Sequence, residues 1–328
     1  KHFDRMILNC RNNQNLFGDA IAIVSEPLLA DFVIVESRDD FSRYRNVFEK
    51  VLKVKPRMRF VTITYQPKIV DYEDRKSSVE SDSIVIRCGE AEILLSCLNL
   101  YDCSSSDFNV FPPFLIWDEE RLNEYRMLIA RHLHLESDEL VEHWNNARVQ
   151  SGILGTHLDE RRKRWPKEAD RIFDMYRYRC EVKNNLSVHE YCEGFATNLS
   201  ERCSLTFNES HFEELAFLDG QTRSLLAYED YYHRAYFSER IFDSLSIRAI
   251  PIYYADSEHS IFNVISRQSM INTFGLTPSE ATEKIMNFTP DTEMASKWLQ
   301  STRELSNIFC DYQRIKGERE RLTNVVAA

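Results

Sequence analysis

Residues 223–256 read RSLLAYEDYYHRAYFSERIFDSLSIRAIPIYYAD, and this stretch decides the fold. Its left end, Ser224 to Tyr228, is a short apolar run that ends in acid, and its right end, Ala249 to Tyr254, is a second apolar run. Between them Phe237, Ile241, Phe242 and Leu245 recur at the spacing of one face of a helix. The order is therefore strand, loop, helix, strand. Two parallel strands need such a crossover, so the pattern predicts a parallel α/β sheet. The loop Asp230–Ala235 then lies beyond the carboxyl end of the first strand, where open α/β sheets hold ligands and a helix start favours phosphate.

Tyr236, Glu239 and Arg240 fall on or just before the first helical turn. A guanidinium at Arg240 can grip a diphosphate with a planar fork of donors, and the Glu239 carboxylate can accept from sugar hydroxyls. Spacing alone leaves a plainer alternative open, since many helices begin with a charged, solvated turn.

Three pieces of this stretch resemble a known signature: Tyr228-Glu229-Asp230, then Tyr236-Phe237-Ser238-Glu239-Arg240-Ile241, then Ile250-Pro251-Ile252-Tyr253-Tyr254. They are similar to the donor-binding pattern of α1,3-fucosyltransferases, which reads Phe-Glu-Asn, a short loop, Tyr-x-Thr-Glu-Lys-Ile and, after the helix, Ile-Pro-Ile-Tyr-Trp-Gly. The resemblance implies that Arg240 holds the donor diphosphate and Glu239 the nucleotide ribose. Glu229, Asp230 and Tyr236 would line the same pocket. Arginine for lysine keeps the cation. Asp230 replaces an asparagine and brings a negative charge beside the diphosphate, which needs pairing. Ala255-Asp256 follows where a glycine is usual.

A second, looser match lies at Gly89-Glu90-Ala91-Glu92, Asp107-Phe108-Asn109-Val110-Phe111 and Phe114-Leu115-Ile116-Trp117-Asp118-Glu119. Some bacterial members of the family carry Gly-Glu-Asn-Glu after a strand, then a segment like Asp-Phe-Asn-Leu-Phe and an apolar run. Here Ile93–Ser106 separates the first two pieces. By resemblance Glu90 is the general base, with Glu92 in reserve. Read without the family, both are solvated acids at a strand-to-loop turn.

The family implies a GT-B-like α/β fold, two Rossmann-type parallel-sheet domains facing a cleft, and an inverting, metal-independent transfer of fucose from GDP-fucose to a glycan hydroxyl. No cofactor is then required beyond the nucleotide-sugar donor. Such a transfer needs a carboxylate to take the acceptor proton and positive charge on the departing diphosphate. A different nucleotide sugar, or a carbohydrate-binding relative without turnover, are the alternatives. The family also carries an arginine early in the donor domain. The corresponding segment, Lys183–Phe195, offers Lys183 or His189 and no arginine.

The expected domains are 1–175, on the acceptor side, and 176–310, which binds the nucleotide sugar. Residues 311–328 form a C-terminal helix that could cross back to the first. Within the first domain Ala20–Val24, Asp31–Glu36, Arg59–Thr64 and Ser83–Arg87 read as strands and Phe41–Leu52 as a helix. Residues 118–150 read as helical. Thr277–Phe288 begins like a capped helix, and Asp291–Tyr312 is a long amphipathic one with Met294, Trp298, Leu305, Ile308 and Phe309 inward. Pro251 inside a central strand is awkward, because it lacks the N–H that a ladder needs.

With 328 residues, 43% of them hydrophobic, the chain is long enough for two cores. A net charge of −11 argues against nucleic acid as a partner. Eight cysteines without a C-x-x-C favour free thiols over zinc or disulfides. Four N-x-S/T sequons, at Asn185, Asn198, Asn208 and Asn287, are near chance in such a chain. No apolar run reaches a membrane span. The basic run 161–165 could rest on anionic lipid or serve as a solvated connector. The expected location is cytoplasmic or peripheral to a membrane, or the Golgi lumen if the start at Lys1 reflects a removed anchor. Oligomeric state is not legible.

Overall fold

A computed structural model describes residues 26–35, 43–64, 83–88, 91–99, 119–154, 173–186, 189–191 and 211–327. Glu90, Gly89, the 107–118 match, the basic run 161–165 and the Ala20–Val24 strand lie outside the described residues. The chain forms two compact units, one of residues 1–108 with 313–328 and one of residues 109–312.

In the first unit β1 (Phe32–Val35), α1 (Arg45–Val54) and β2 (Arg59–Thr64) follow the expected order. β3 (Ser83–Cys88) and β4 (Ala91–Asn99) complete a sheet of order β1-β2-β4-β3. β1, β2 and β4 run parallel, whereas β3 is antiparallel to β4. The first sheet is thus mixed, not wholly parallel, because β3 and β4 are joined too closely for a crossover. Alternation along the strands sets the core. Phe60, Ile86, Ile93 and Leu95 face inward onto Phe48 and Val51 of α1, with Phe48 and Phe60 edge to face at 5.3 Å. Val85 and Leu94, directly opposite one another, point outward and are exposed.

The second unit carries α2 (Glu119–Ala130), α3 (Ser137–Asn146), β5 (Val149–Leu154), β6 (Phe173–Asp174), α4 (Tyr176–Leu186), β7 (His189–Tyr191), α5 (His211–Leu218) and β8 (Thr222–Leu226). There follow β9 (Tyr231–Tyr232), α6 (Arg240–Ser246), β10 (Ile250–Tyr253), β11 (Ile271–Asn272), α7 (Pro278–Asn287) and α8 (Thr292–Cys310). A last helix, α9 (Tyr312–Ala327), belongs from Gln313 onward to the first unit. The sheet order is β11-β10-β8-β5-β7, all parallel. The strand–helix–strand unit of 222–253 is its centre, as the apolar runs predict.

β5 hydrogen-bonds to β8, so the described residues 119–154 and 173–175, expected in the N-terminal domain, belong to the second unit. The helical block 118–150 is two helices and a strand. It breaks at residues 131–136, where Glu136 caps α3 in a reciprocal box with Glu139. The two capped helices stand as expected. Thr277 and Glu280 form a capping box on α7, and Asp291 caps α8. The inward residues of α8 are buried, and α8 packs on α2 and α3.

Trp144 and Trp298 meet edge to face at 6.2 Å, and each directs its indole N–H to a carbonyl just before β10: Trp144 to Arg248 at 2.7 Å and Trp298 to Ala249 at 3.2 Å. These bonds, and the 2.7 Å pair from Arg248 Nε to the enclosed Asp219 carboxylate, hold Arg248 at φ 59°, a left-handed conformation.

Pro251 is accommodated by register. The Ile252 carbonyl accepts from Ala227, just past β8, and the Tyr253 carbonyl accepts from Thr273, just past β11. Pro251, like Tyr253, therefore faces the β11 side. There the first partner, Ile271, stands opposite Ile252, so the missing N–H falls before the ladder begins. No described helix is long and apolar enough to cross a membrane.

Candidate functional site

The chain leaves β8 through Ala227 and Tyr228 and reaches Glu229 and Asp230 at the carboxyl end of the parallel sheet. The next two residues form β9, which pairs antiparallel with β6. This small ladder brings the start of α4 to the loop, and Met175 N–H donates to the Asp230 carbonyl at 3.0 Å. One turn on, Arg179 N–H donates back to Met175 at 2.8 Å. Arg179 is thereby set beside Asp230.

Two arginines converge on that one carboxylate. Arg179 Nη1 lies 2.8 Å from Asp230 Oδ1, and Arg240 Nη1 lies 3.2 Å from the same oxygen. Both also donate to the Tyr228 carbonyl, Arg240 at 2.7 Å and Arg179 at 3.3 Å. The Arg179 side chain is 7% exposed and the Asp230 side chain 25%. Burial, and then repulsion from Arg240, pull the Arg179 guanidinium down to about 10, against the attraction of Asp230. Burial also works against charge on Arg240, but Asp230 and Glu229 more than offset it and hold that guanidinium above its ordinary range. Nε of Arg179 is buried with no hydrogen-bond partner.

Glu229 faces the other way. It is 6% exposed and accepts from Ser238 N–H at 2.8 Å, Ser238 Oγ–H at 2.7 Å and Tyr253 O–H at 3.1 Å. Burial nevertheless lifts its carboxyl to about 7, with Arg240 and the Ser238 bonds pulling it back down. Glu239 stands at the start of α6, 3.6 Å from Arg121 of α2, and Tyr236 is buried in the loop before it. The helix itself has seven residues, and the Ser238 N–H at its mouth is already given to Glu229. The expected phosphate cradle of helix N–H groups is therefore not what the geometry offers. The positive charge at this end of the sheet comes instead from Arg179 and Arg240.

An aromatic wall stands at the same end of the sheet. Tyr178 meets Tyr228 at 5.5 Å and Tyr254 at 5.2 Å, and Tyr254 meets Phe274 at 5.1 Å. Beyond it, Arg234 joins the two loops through Asp256 at 2.6 Å and through Glu258. An open pocket of about 570 Å³ lies past these loops, lined by Glu258, His259, Phe262, Asn263, Arg267 and others of the 257–268 segment, and by neither paired arginine.

Of the residues picked from sequence, Glu229, Asp230 and Arg240 come together, with Tyr236 and Glu239 on the same loop and helix start. Lys183 sits on α4 one turn past Arg179, and it is Arg179 that reaches Asp230. His189 opens β7 at the sheet's edge, in register with Gly152. Glu92 is an exposed residue inside β4, opposite Arg87, rather than on a loop past a strand.

No family model matches the chain, and no curated protein matches it. The residues sequence reasoning missed are Arg179 and Ser238. The signal for Arg179 was present. Met175 just before α4, and Tyr178 and Val182 on it, mark an inward stripe, all three are buried, and Arg179 falls on that stripe.

Proposed function

We propose that the chain is an inverting glycosyltransferase of the GT-B type, moving fucose from GDP-fucose to a hydroxyl of an oligosaccharide or glycoconjugate. The observation that carries this reading is the pair of arginines at the carboxyl end of β8. The fucosyltransferase resemblance calls for two cations on the donor diphosphate, and the matching segments offer only one arginine. Arg179 supplies the second, one turn before Lys183 on the same helix.

In this reading the acceptor oxygen attacks the anomeric carbon while its proton passes to the Glu90 carboxylate, and the bond from that carbon to the diphosphate oxygen breaks. Arg240 and Arg179 balance the charge that gathers on the departing diphosphate. Glu239 receives the ribose hydroxyls, and Arg121, its ion-pair partner, orients it. Glu92, exposed near the start of β4, stays in reserve as base. Asp230 is the feature that favours a second reading, another nucleotide sugar as donor, because it changes the charge of the site.

The test is calorimetry with GDP and GDP-fucose on the wild type, Arg240→Ala and Arg179→Ala. Affinity should fall at least about tenfold in each variant, as expected when a charge-assisted contact to phosphate is lost. Equal affinity in all three proteins would refute the proposal. A thermal-shift screen of nucleotide sugars separates the two readings, because a ligand bound only by the native state raises its melting temperature.

A further inference from the structure

Two guanidinium groups held close together repel, and an anion shared between them relieves that cost. In this chain the anion is Asp230. One of its oxygens receives Arg179 at 2.8 Å and Arg240 at 3.2 Å. The Tyr228 carbonyl, which both arginines also reach, is neutral and cannot balance them. Glu229 is committed to Ser238 and Tyr253.

We propose that Asp230 is an internal counter-anion seated where a ligand's phosphate would sit, so that it sets the charge of the paired-arginine site and must be displaced by any anion that binds there. The inference rests on reading this cluster as the donor-diphosphate site. Three observations carry it beyond an ordinary ion pair. The acid is half-open to solvent: its side chain is 25% exposed, close to Arg240 at 28% and well above Arg179 at 7%, so it can turn outward while Arg179 stays packed. Its backbone is pinned by Met175 N–H, so only the side chain has to move. The buried Nε of Arg179 has no acceptor, so the carboxylate leaves one donor unfilled. A diphosphate has more oxygens than one carboxylate and could fill it. With Asp230 in place the three side chains carry one net positive charge, and with it displaced the arginines present two. Asp230 therefore disfavours weakly held monoanions and admits ligands charged enough to evict it.

The experiment is calorimetry with inorganic pyrophosphate, GDP and GMP on the wild type, Asp230→Asn and the double variant Asp230→Asn/Arg240→Ala. Melting curves confirm that each is folded, and Asp230→Ser replaces Asp230→Asn if the amide variant does not fold. Asp230→Asn should bind pyrophosphate and GDP at least about tenfold more tightly than the wild type, with a proportionally larger gain for GMP. Adding Arg240→Ala should cancel that gain. If wild type and Asp230→Asn bind GDP equally, or the variant binds more weakly, the counter-anion role is wrong while the donor site stands. Should Asp230→Asn gain pyrophosphate affinity with no added contribution from the nucleoside, the counter-anion role stands and the donor reading falls. If none of the proteins binds any of the three ligands, both fall.

Discussion

Replacing Glu229 by glutamine isolates a single buried proton. Glu229 accepts three hydrogen bonds, two at Oε1 from Ser238 N–H and Tyr253 O–H and one at Oε2 from the Ser238 hydroxyl. A glutamine keeps all of them: its carbonyl takes the first two, and its amide donates to the Ser238 hydroxyl, which rotates to accept. The substitution thus removes the charge and little else. In the wild type the folded carboxyl titrates near 7 against an ordinary 4.5, burial being the main cause. The folded state holds its proton to higher pH than the unfolded chain, so the sign is that stability falls as pH rises from 4.5 toward 7. At roughly 1.4 kcal/mol per pH unit the full swing is about 3 kcal/mol, of which about 2.5 kcal/mol falls between about pH 5 and about pH 8. His259 runs the other way. Burial lowers its imidazole to about 4 from 6.5, so its contribution is lost as pH falls through that window. The two slopes offset each other in the wild type, and only the difference between wild type and variant is informative. Urea unfolding of both proteins at about pH 5 and about pH 8 gives that difference. Glu229→Gln should be nearly neutral at the lower pH and stabilising by roughly 2 to 3 kcal/mol at the higher. A difference that does not change with pH would refute the reasoning.

Two further outcomes rest on packing. Tyr125→Phe removes the 2.6 Å bond from a fully buried phenol to Asp243 Oδ1 and should cost about 1 to 3 kcal/mol in urea unfolding, because the carboxylate stays buried. Gly220→Ala and Gly275→Ala form a matched pair at φ 81° and 78°. A Cβ at Gly220 would lie 2.7 Å from Arg248 Nη2 and 2.9 Å from His143 Cε1, while one at Gly275 meets nothing within 4 Å. Gly275→Ala should lose only the left-handed backbone term of about 1 to 2 kcal/mol. Gly220→Ala should melt lower than Gly275→Ala.

The strands at 222–226 and 250–253 and the helix between them were legible because three apolar runs repeat at two distinct periods. The caps at Thr277 and Asp291 were legible because their chemistry is local. β5 was not. VQSGIL has one strongly apolar end and a serine and glycine in its middle, and its place in the sheet depends on Ser151 meeting Ser224, 3.1 Å away and 73 residues on. β4 was missed for another reason: the Gly89–Glu92 segment was read as a loop motif, which drew attention from the alternation of Glu92, Ile93, Leu94 and Leu95 along a hairpin strand. For the candidate site, Arg240 and Asp230 stand in one continuous motif and could be picked out together. Arg179 is contributed through the pairing of Phe173–Asp174 with Tyr231–Tyr232, which no local pattern announces. What hid it was its charged neighbourhood, close after the basic run 161–165 that could serve as a solvated connector.

The first unit is built from the beginning and the end of the described chain, with all of residues 109–312 inserted between. On a ribosome that adds about 5 to 20 residues per second, strands β1 to β4 emerge roughly 10 to 40 seconds before the last segment of their own unit. During that interval the second unit can fold to completion while the first waits unfinished, with Val85 and Leu94 already side by side on an open face. Production of this protein in a cell is therefore expected to be sensitive to chaperone supply and to translation speed across the inserted stretch. A shortfall in either would show first in the N-terminal sheet.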